Sequence, residues 1–291
     1  FLVYISQLVE CKKNKTIIEL GPGNGTLAYD IMSSFRKLNV LNHWYYNLFE
    51  KSDRLKIIQR KKLEYDFKGN FEWINDFKTK HDGPHFFICN EFFDALPIDQ
   101  YTKDNNEIKK KKIYINSLNK LSSAFFKTTK KMKEYYKKLN NGDIVEISEN
   151  MEKIIHKLFK VINKKQGMVI LFDYGPLKKK NVDTLQAIHN GKKCDIFFAP
   201  CSSDITHHID FSYLKSIAKS YNISVLGPIT QRDFLLSMGA KERLNILLNR
   251  VKNAKLQKML LSSYKRLTDK NKMGELFKCI IFHTNKYKIP F

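Results

Sequence analysis

The 291-residue chain contains no apolar run approaching the length needed to cross a bilayer, which argues against a transmembrane segment and against membrane insertion. Its five cysteines (Cys11, Cys89, Cys194, Cys201 and Cys279) are odd in number and scattered. With no C-x-x-C pair among them, neither a zinc site nor a disulfide framework is supported, and a reducing compartment such as cytosol or mitochondrial matrix fits. There is no internal repeat. Acidic residues are scarce, 29 against 52 lysines and arginines, which leaves a net charge of +23. Such a balance can signal nucleic acid or an anionic surface. Here the lysines are spread along the chain and travel with asparagines, as in Lys12-Lys13-Asn14-Lys15 and Asn163-Lys164-Lys165. Codon bias toward these two residues decorates any surface in that way, and we prefer this reading to a dedicated basic face. An initiator methionine is also missing. The chain starts at Phe1, almost directly at a strand, and reads as trimmed or incomplete at its N-terminus, where a targeting peptide would leave no trace.

What is present begins with Thr16-Ile17-Ile18-Glu19-Leu20-Gly21-Pro22-Gly23-Asn24-Gly25-Thr26-Leu27. A short apolar strand runs into an acid, three glycines at every second position, and a helix start. Glycines at that density let the backbone reverse tightly and approach a ligand without Cβ interference. A dinucleotide site would use Gly-x-Gly-x-x-Gly with a pyrophosphate on the helix N-terminus. In this chain the third glycine comes one residue early, and Glu19 would repel a pyrophosphate. The acid suits a cationic, phosphate-free ligand such as S-adenosylmethionine. Tyr45 to Glu50 reads as a second strand ending in an acid that could accept ribose hydroxyls. Alone, the loop is also an ordinary turn and Glu50 a solvated strand end; together they favour a cofactor site.

Alternating strand-like and helix-like runs then argue for an α/β fold with a mostly parallel sheet. Expected strands are Ile17 to Leu20, Tyr45 to Glu50, Phe71 to Asp76, His85 to Asn90, Gly167 to Gly175, Ile223 to Gly227 and Leu276 to Thr284, about seven in all. Expected helices include Thr26 to Leu38, with Leu27, Ile31, Phe35 and Leu38 on one face, Leu55 to Lys62, Met151 to Asn163, and segments near Gln231 to Met238, Ala240 to Val251 and Leu256 to Leu267. Residues 98–150 change character. The alternation at Ile113 and Ile115, the run Lys109 to Lys112 and few glycines suggest an antiparallel insertion or lid, so the organisation expected is one domain from 1–97 and 151–291 with an inserted, β-rich substrate region at 98–150. Open α/β sheets bind ligands at the carboxyl ends of their strands, where Glu19 to Gly25, Glu50, Asn90-Glu91 and Asp173-Tyr174 all fall.

Several residues keep two readings. Asp76, after the third strand, could reach an adenine amino group or be a loop acid. Asp94 could be catalytic or cap a helix starting at Ala95-Leu96. Asp173 could orient substrate or terminate its strand. His207-His208 with Asp210 invites a metal, but adjacent histidines in a strand point to opposite faces, Asp204 reads as a turn cap, and no metal is expected. Leu244, Leu247, Leu248 and Val251 read as core. Asn90 and Phe93 loosely fit the Asn/Asp-Pro-Pro-Tyr/Phe pattern of nucleic-acid amino-methyltransferases, but both prolines are absent, and a carboxylate at Glu91 suits a cation better than a neutral amine.

The blocks Glu19 to Leu27, Asn90-Glu91-Phe92-Phe93-Asp94-Ala95-Leu96-Pro97, Asp173-Tyr174-Gly175, Asp204-Ile205-Thr206 through Asp210-Phe211, Leu226 to Gln231, Phe234-Leu235 with Met238-Gly239, and Lys272 to Glu275 run in order along the chain. In them the sequence resembles the MidA family, the mitochondrial complex I assembly-factor protein arginine methyltransferases, with bacterial relatives of the same fold. The resemblance covers essentially the whole chain apart from an N-terminal helical region that precedes the glycine loop in the family. It implies a class I, Rossmann-like sheet of seven strands with helices on both faces, S-adenosyl-L-methionine as cofactor, symmetric dimethylation of an arginine on a complex I core subunit, and a mitochondrial matrix location. It further implies cofactor contacts from Glu19, Gly21, Gly23, Gly25, Thr26, Leu27, Glu50, Asp76 and Asn90. A protonated guanidinium needs carboxylates that pair with its fork, and Glu91 followed by Asp94 are the expected catalytic residues, with Phe92 and Phe93 walling the pocket. The partner is a protein carrying a target arginine; nucleic acid is the runner-up substrate, a non-catalytic assembly factor the third reading, and a homodimer is left open.

Overall fold

The computed structural model describes residues 14–105, 107–128, 139–178 and 180–284; Cys11 and Lys12-Lys13 lie outside them. Its centre is a seven-stranded sheet of β1 (Lys15–Leu20), β2 (Trp44–Phe49), β3 (Phe71–Ile74), β4 (His85–Asn90), β9 (Gly167–Tyr174), β13 (Ser224–Thr230) and β14 (Phe277–His283), in the order β13-β14-β9-β4-β1-β2-β3. β9, β4, β1, β2 and β3 are mutually parallel, whereas β14 is antiparallel to both of its neighbours. β1 pairs with β2 on one side and β4 on the other, so the chain reverses its direction of travel there and opens a crevice at the strands' carboxyl ends.

Central strands read as unbroken apolar runs because both their faces are covered. In β4, Phe87 and Cys89 enter one core with Val169 and Leu171 of β9, while Phe86 and Ile88 enter the other with Met168 and Ile170. The first core is closed by α3 (Glu149–Lys165) and α4 (Phe211–Ser220). α3 turns Met151, Ile155, Leu158, Phe159 and Ile162 to the sheet at helical spacing, and its Ser148 Oγ accepts the Met151 N–H as an N-cap. Full burial of each such side chain contributes about 1.5–3 kcal/mol.

The second core is closed by α1 (Thr26–Lys37), α2 (Asp53–Phe67) and α5 (Gln231–Ser237). On α1 the covered face is Ala28, Met32 and Phe35 rather than the expected Leu27–Leu38 stripe; Leu27 and Leu38 are 36% and 51% exposed. The two stripes share Phe35, and Ile31 of the expected one packs partly buried against the same core.

Between β4 and α3 stands an antiparallel sheet in the order β7-β6-β5-β8, from β5 (Asp99–Asp104), β6 (Glu107–Ile115), β7 (Leu121–Lys127) and β8 (Ile144–Ile147). It has a small core of its own around Tyr101, Leu139, Val145 and Ile147. A second insertion follows β9 and was not anticipated: β10 (Gln186–His189), β11 (Lys192–Cys194) and β12 (Asp204–Thr206) form a three-stranded antiparallel sheet. Strands this short carry no periodicity to read. The remaining helices are α6 (Ala240–Arg250), α7 (Ala254–Thr268) and α8 (Met273–Leu276). α6 corrects another expectation: none of its residues is buried, and Leu244, Leu247, Leu248 and Val251 are half-exposed rather than core. Among the described residues no helix is long and apolar enough to cross a membrane.

Candidate active site

The glycine loop is built as its spacing demands. Gly21, Gly23 and Gly25 all have positive φ, at 65°, 53° and 77°. The Gly21 N–H donates to Phe49 O of β2 at 3.1 Å, and the Gly25 N–H to Pro22 O at 2.8 Å, which closes the turn. Gly25 is the N-cap of α1 and supplies no capping side chain. Thr26 instead donates its Oγ1–H to Asn24 Oδ1 at 2.7 Å, and Lys62 Nζ donates to Thr26 Oγ1. The glycines differ in what they exclude. A Cβ on Gly23 would meet nothing within 4 Å, so open space lies above it, whereas a Cβ on Gly21 would stand 2.8 Å from Cδ2 of Phe92.

Glu19 lies one strand residue before the loop, 3% exposed, with its Oε2 accepting the Tyr46 hydroxyl at 2.7 Å. Burial pushes its carboxyl up to about 7, against the pull of the Tyr46 hydrogen bond. Glu50, at the end of β2, accepts the Ser52 N–H at 2.8 Å and the Gln59 amide at 3.3 Å. Gln59 was missed from the sequence. This fully buried side chain of α2 donates to Gly23 O at 2.8 Å and to Glu50, and accepts the Trp73 indole N–H at 2.7 Å. It ties the glycine loop, the acid of β2 and β3 into one unit, yet a glutamine in a polar helix carries no signal of that. Asp76 is exposed and turns its Oδ1 to the Lys78 N–H. Asn90 and Leu27 border a groove of about 530 Å³ that also takes in Ile31, Phe172, Phe234 and Leu235.

The loop after β4 brings the other candidates together. Glu91 has φ +49° and donates its N–H to Phe172 O at 2.8 Å. The residue is exposed, yet partial burial of its carboxylate raises its pKa while the nearby Arg266 charge lowers it. Asp94 is buried, and burial followed by the Glu91 charge lifts it to about 6. No helix begins at Ala95, so the capping reading of Asp94 falls. Phe92 rests on Gly21, but Phe93 is fully buried in the core and does not wall a pocket.

Asp173 underpins this loop. Its Oδ2 accepts the Phe93 and Asp94 N–H groups at 3.0 and 3.2 Å, its Oδ1 the Tyr174 N–H at 3.0 Å, and it has no exposed surface. Leaving either loop N–H buried without that acceptor would cost about 1–3 kcal/mol. Burial and the neighbouring Asp94 charge push the Asp173 carboxyl well up, against those three donors.

The histidine pair is structural in its contacts and does not sit in a strand, since β12 ends at Thr206. The His207 N–H donates to Asp94 O at 3.1 Å, and the His208 ring meets Tyr174 edge-on. Asp210 caps α4 through the Tyr213 N–H, and Asp204 opens β12 rather than capping a turn. Among the described residues no group of three His, Cys, Asp or Glu side chains is disposed to hold a metal.

The residues at the carboxyl edge fit a positively charged ligand carrying a ribose. Open space stands over a glycine whose backbone alone faces it, the N-cap side chain of α1 is absent, and the surrounding acids are Glu19, Glu50, Glu91 and Asp94.

The comparisons with known proteins agree. Residues 1–229 match the family described as S-adenosyl-L-methionine-dependent methyltransferase. The chain is 30% identical over 285 residues to the rat protein named "Protein arginine methyltransferase NDUFAF7, mitochondrial", covering 90% of this chain and 65% of that one. The Caenorhabditis elegans homologue is 31% identical over 290 residues, covering 90% and 66%. The chain thus spans about two thirds of the length of the curated relatives it matches. A crystal structure from Burkholderia thailandensis, bound to S-adenosyl-homocysteine, superposes with a TM-score of 0.79 at 20% identity, covering 98% of this chain and 75% of that one. At that identity the likeness speaks to the fold.

Proposed function

Since the chain belongs to the S-adenosyl-L-methionine-dependent methyltransferase family, we propose that it transfers methyl groups to an arginine side chain of a protein substrate. The observation that carries the acceptor half of this reading is the shared loop of Glu91 and Asp94. Two carboxylates stand at the end of β4, joined to the glycine loop by Phe92 lying against Gly21. When bound, S-adenosyl-L-methionine supplies an electrophilic methyl group on a sulfonium. The glycine loop, Thr26 and Leu27 would hold it, with Glu19, Glu50, Asp76 and Asn90 around it.

The acceptor chemistry falls to the loop. Glu91 pairs with the guanidinium and draws positive charge away from the nitrogen that attacks. A guanidinium that gains a methyl and stays protonated releases one proton, and Asp94, raised to about 6, is set to take it up. Phe92 excludes water beside both.

Symmetric dimethylation, a respiratory complex I core subunit as substrate and a mitochondrial matrix location are the finer parts of the proposal. They rest on the family resemblance and on the mitochondrial arginine-methyltransferase names of the relatives. We assign the 98–150 insertion to the substrate side.

Nucleic acid gains no support from the lysine run. Lys109, Lys110 and Lys111 are paired with Asp104, Asp99 and Asp183, and Lys112 lies over Phe126.

The test is methyl labelling of a mitochondrial lysate with the parent chain and with Glu91→Gln. Transfer to protein arginine should be lost in the variant while S-adenosyl-homocysteine affinity is kept. A parent that binds no cofactor, or a variant that transfers at the parental rate, would sink the reading.

A further inference from the structure

We propose that Asp173 is the positioning residue of the acceptor loop: its carboxylate fixes the backbone from which Glu91 and Asp94 present theirs. The proposal rests on the reading of that loop as the acceptor site.

Between Asn90 and Asp99 the chain has no helix or strand, so its shape depends on individual hydrogen bonds. Among the described residues five come from outside the loop, one of them Ser148 Oγ donating to Pro97 O at 2.8 Å. Phe172 O takes the Glu91 N–H at 2.8 Å, Asp173 Oδ2 takes those of Phe93 and Asp94 at 3.0 and 3.2 Å, and the His207 N–H reaches Asp94 O at 3.1 Å. Among the described residues Asp173 is the one side chain from outside the loop that accepts its N–H groups, and it holds Phe93 and Asp94 together. The loop also needs that hold, because Glu91 sits at φ +49°, a conformation that disfavours a residue bearing a Cβ.

The side-chain type matters. Three N–H groups converge on Asp173, two on one oxygen and one on the other, and a carboxyl group offers an accepting oxygen on each side. An asparagine of the same shape has one accepting oxygen. Turned to the loop, it would set its NH₂ against the Tyr174 N–H; turned to Tyr174, it would set it against Phe93 and Asp94. Asp173 is fully buried, so water does not replace the lost acceptor. Asp173 touches neither cofactor nor acceptor in this scheme and acts through the loop.

Asp173→Asn, with Asp173→Ala as the second variant, tests this in the whole chain through two readouts. Amide hydrogen exchange over residues 91–96 should speed up at Phe93 and Asp94 by at least about tenfold, with exchange over the glycine loop unchanged. S-adenosyl-homocysteine affinity should stay within about twofold, while kcat for arginine methylation falls on the order of 100-fold. Unchanged exchange in Asp173→Asn overturns the proposal, whatever the activity. Faster exchange with undiminished kcat overturns it too, since the loop would then be held without being positioned for anything. A parent that methylates no arginine removes the acceptor reading itself, and the exchange result still says separately whether Asp173 holds the loop.

Discussion

Glu19→Gln should make the protein more stable, and only where the parent carries a charge. Glu19 is 3% exposed, its hydrogen-bond partner is the Tyr46 hydroxyl, and burial lifts its carboxyl from 4.5 to about 7. An acid with a raised folded pKa binds its proton more tightly in the folded state than in the unfolded chain, so its contribution to stability falls as pH rises from the unfolded value to the folded one. With those two values the cost is about 1 kcal/mol at pH 5 and about 3 kcal/mol at pH 8, since each tenfold change in proton affinity adds one linkage increment. Glutamine keeps an oxygen to accept the Tyr46 hydroxyl and never ionises. The stability of Glu19→Gln relative to the parent should therefore improve by roughly 2 kcal/mol between pH 5 and pH 8. Urea denaturation of both proteins at the two pH values measures it. A difference independent of pH would refute the reasoning, because Glu19 would then ionise as an ordinary surface acid. If Glu19 also faces the cationic cofactor, the stabilised variant should bind S-adenosyl-L-methionine more weakly, the familiar exchange of stability against function.

Two further substitutions separate causes that the sequence runs together. Gly21→Ala should cost about 2–3 kcal/mol, since it adds to the left-handed backbone penalty a Cβ 2.8 Å from the Phe92 ring, whereas Gly23→Ala should cost only about 1 kcal/mol in the absence of ligand; equal shifts in denaturant midpoint would remove Phe92 from the account. Phe159→Ala should cost about 3–5 kcal/mol by opening a cavity among α3, Tyr221 and Phe282, and a urea midpoint close to the parent's would mean that α3 does not hold the sheet.

The central sheet was legible because buried parallel strands are apolar along their whole length. His85 to Asn90 and Gly167 to Tyr174 left little room for another reading, and the helices at Met151 and Gln231 showed their stripes. What failed had a physical reason each time. The Leu244–Val251 stripe is helical and apolar, yet periodicity says nothing about whether a second surface exists to cover it, and α6 stays half-exposed. β10 to β12 are too short to alternate. Within the candidate site, the sequence spoke where chemistry and spacing coincide, as at Gly21 to Gly25 and Glu91. It was silent where a residue works through tertiary contact: Gln59 spans 36 residues to reach Gly23, and Asp173 reaches back 80 to Phe93. Asp173 could be singled out only as a strand end, and its hold on the acidic loop depends on the pairing of β4 with β9.

The antiparallel seat of β14 bears on how the chain is made. β9 cannot complete its hydrogen bonds until Phe277–His283 has been synthesised and threaded between β9 and β13, more than a hundred residues later. During that interval a strand with Val169, Leu171 and Ile170 on its two faces presents an open edge, the kind of template on which other chains add. A chain cut short within α5–α7 keeps that edge open, and should aggregate under conditions where the full chain stays dispersed. Contacts of this sequence separation also form slowly, which extends the exposure into refolding.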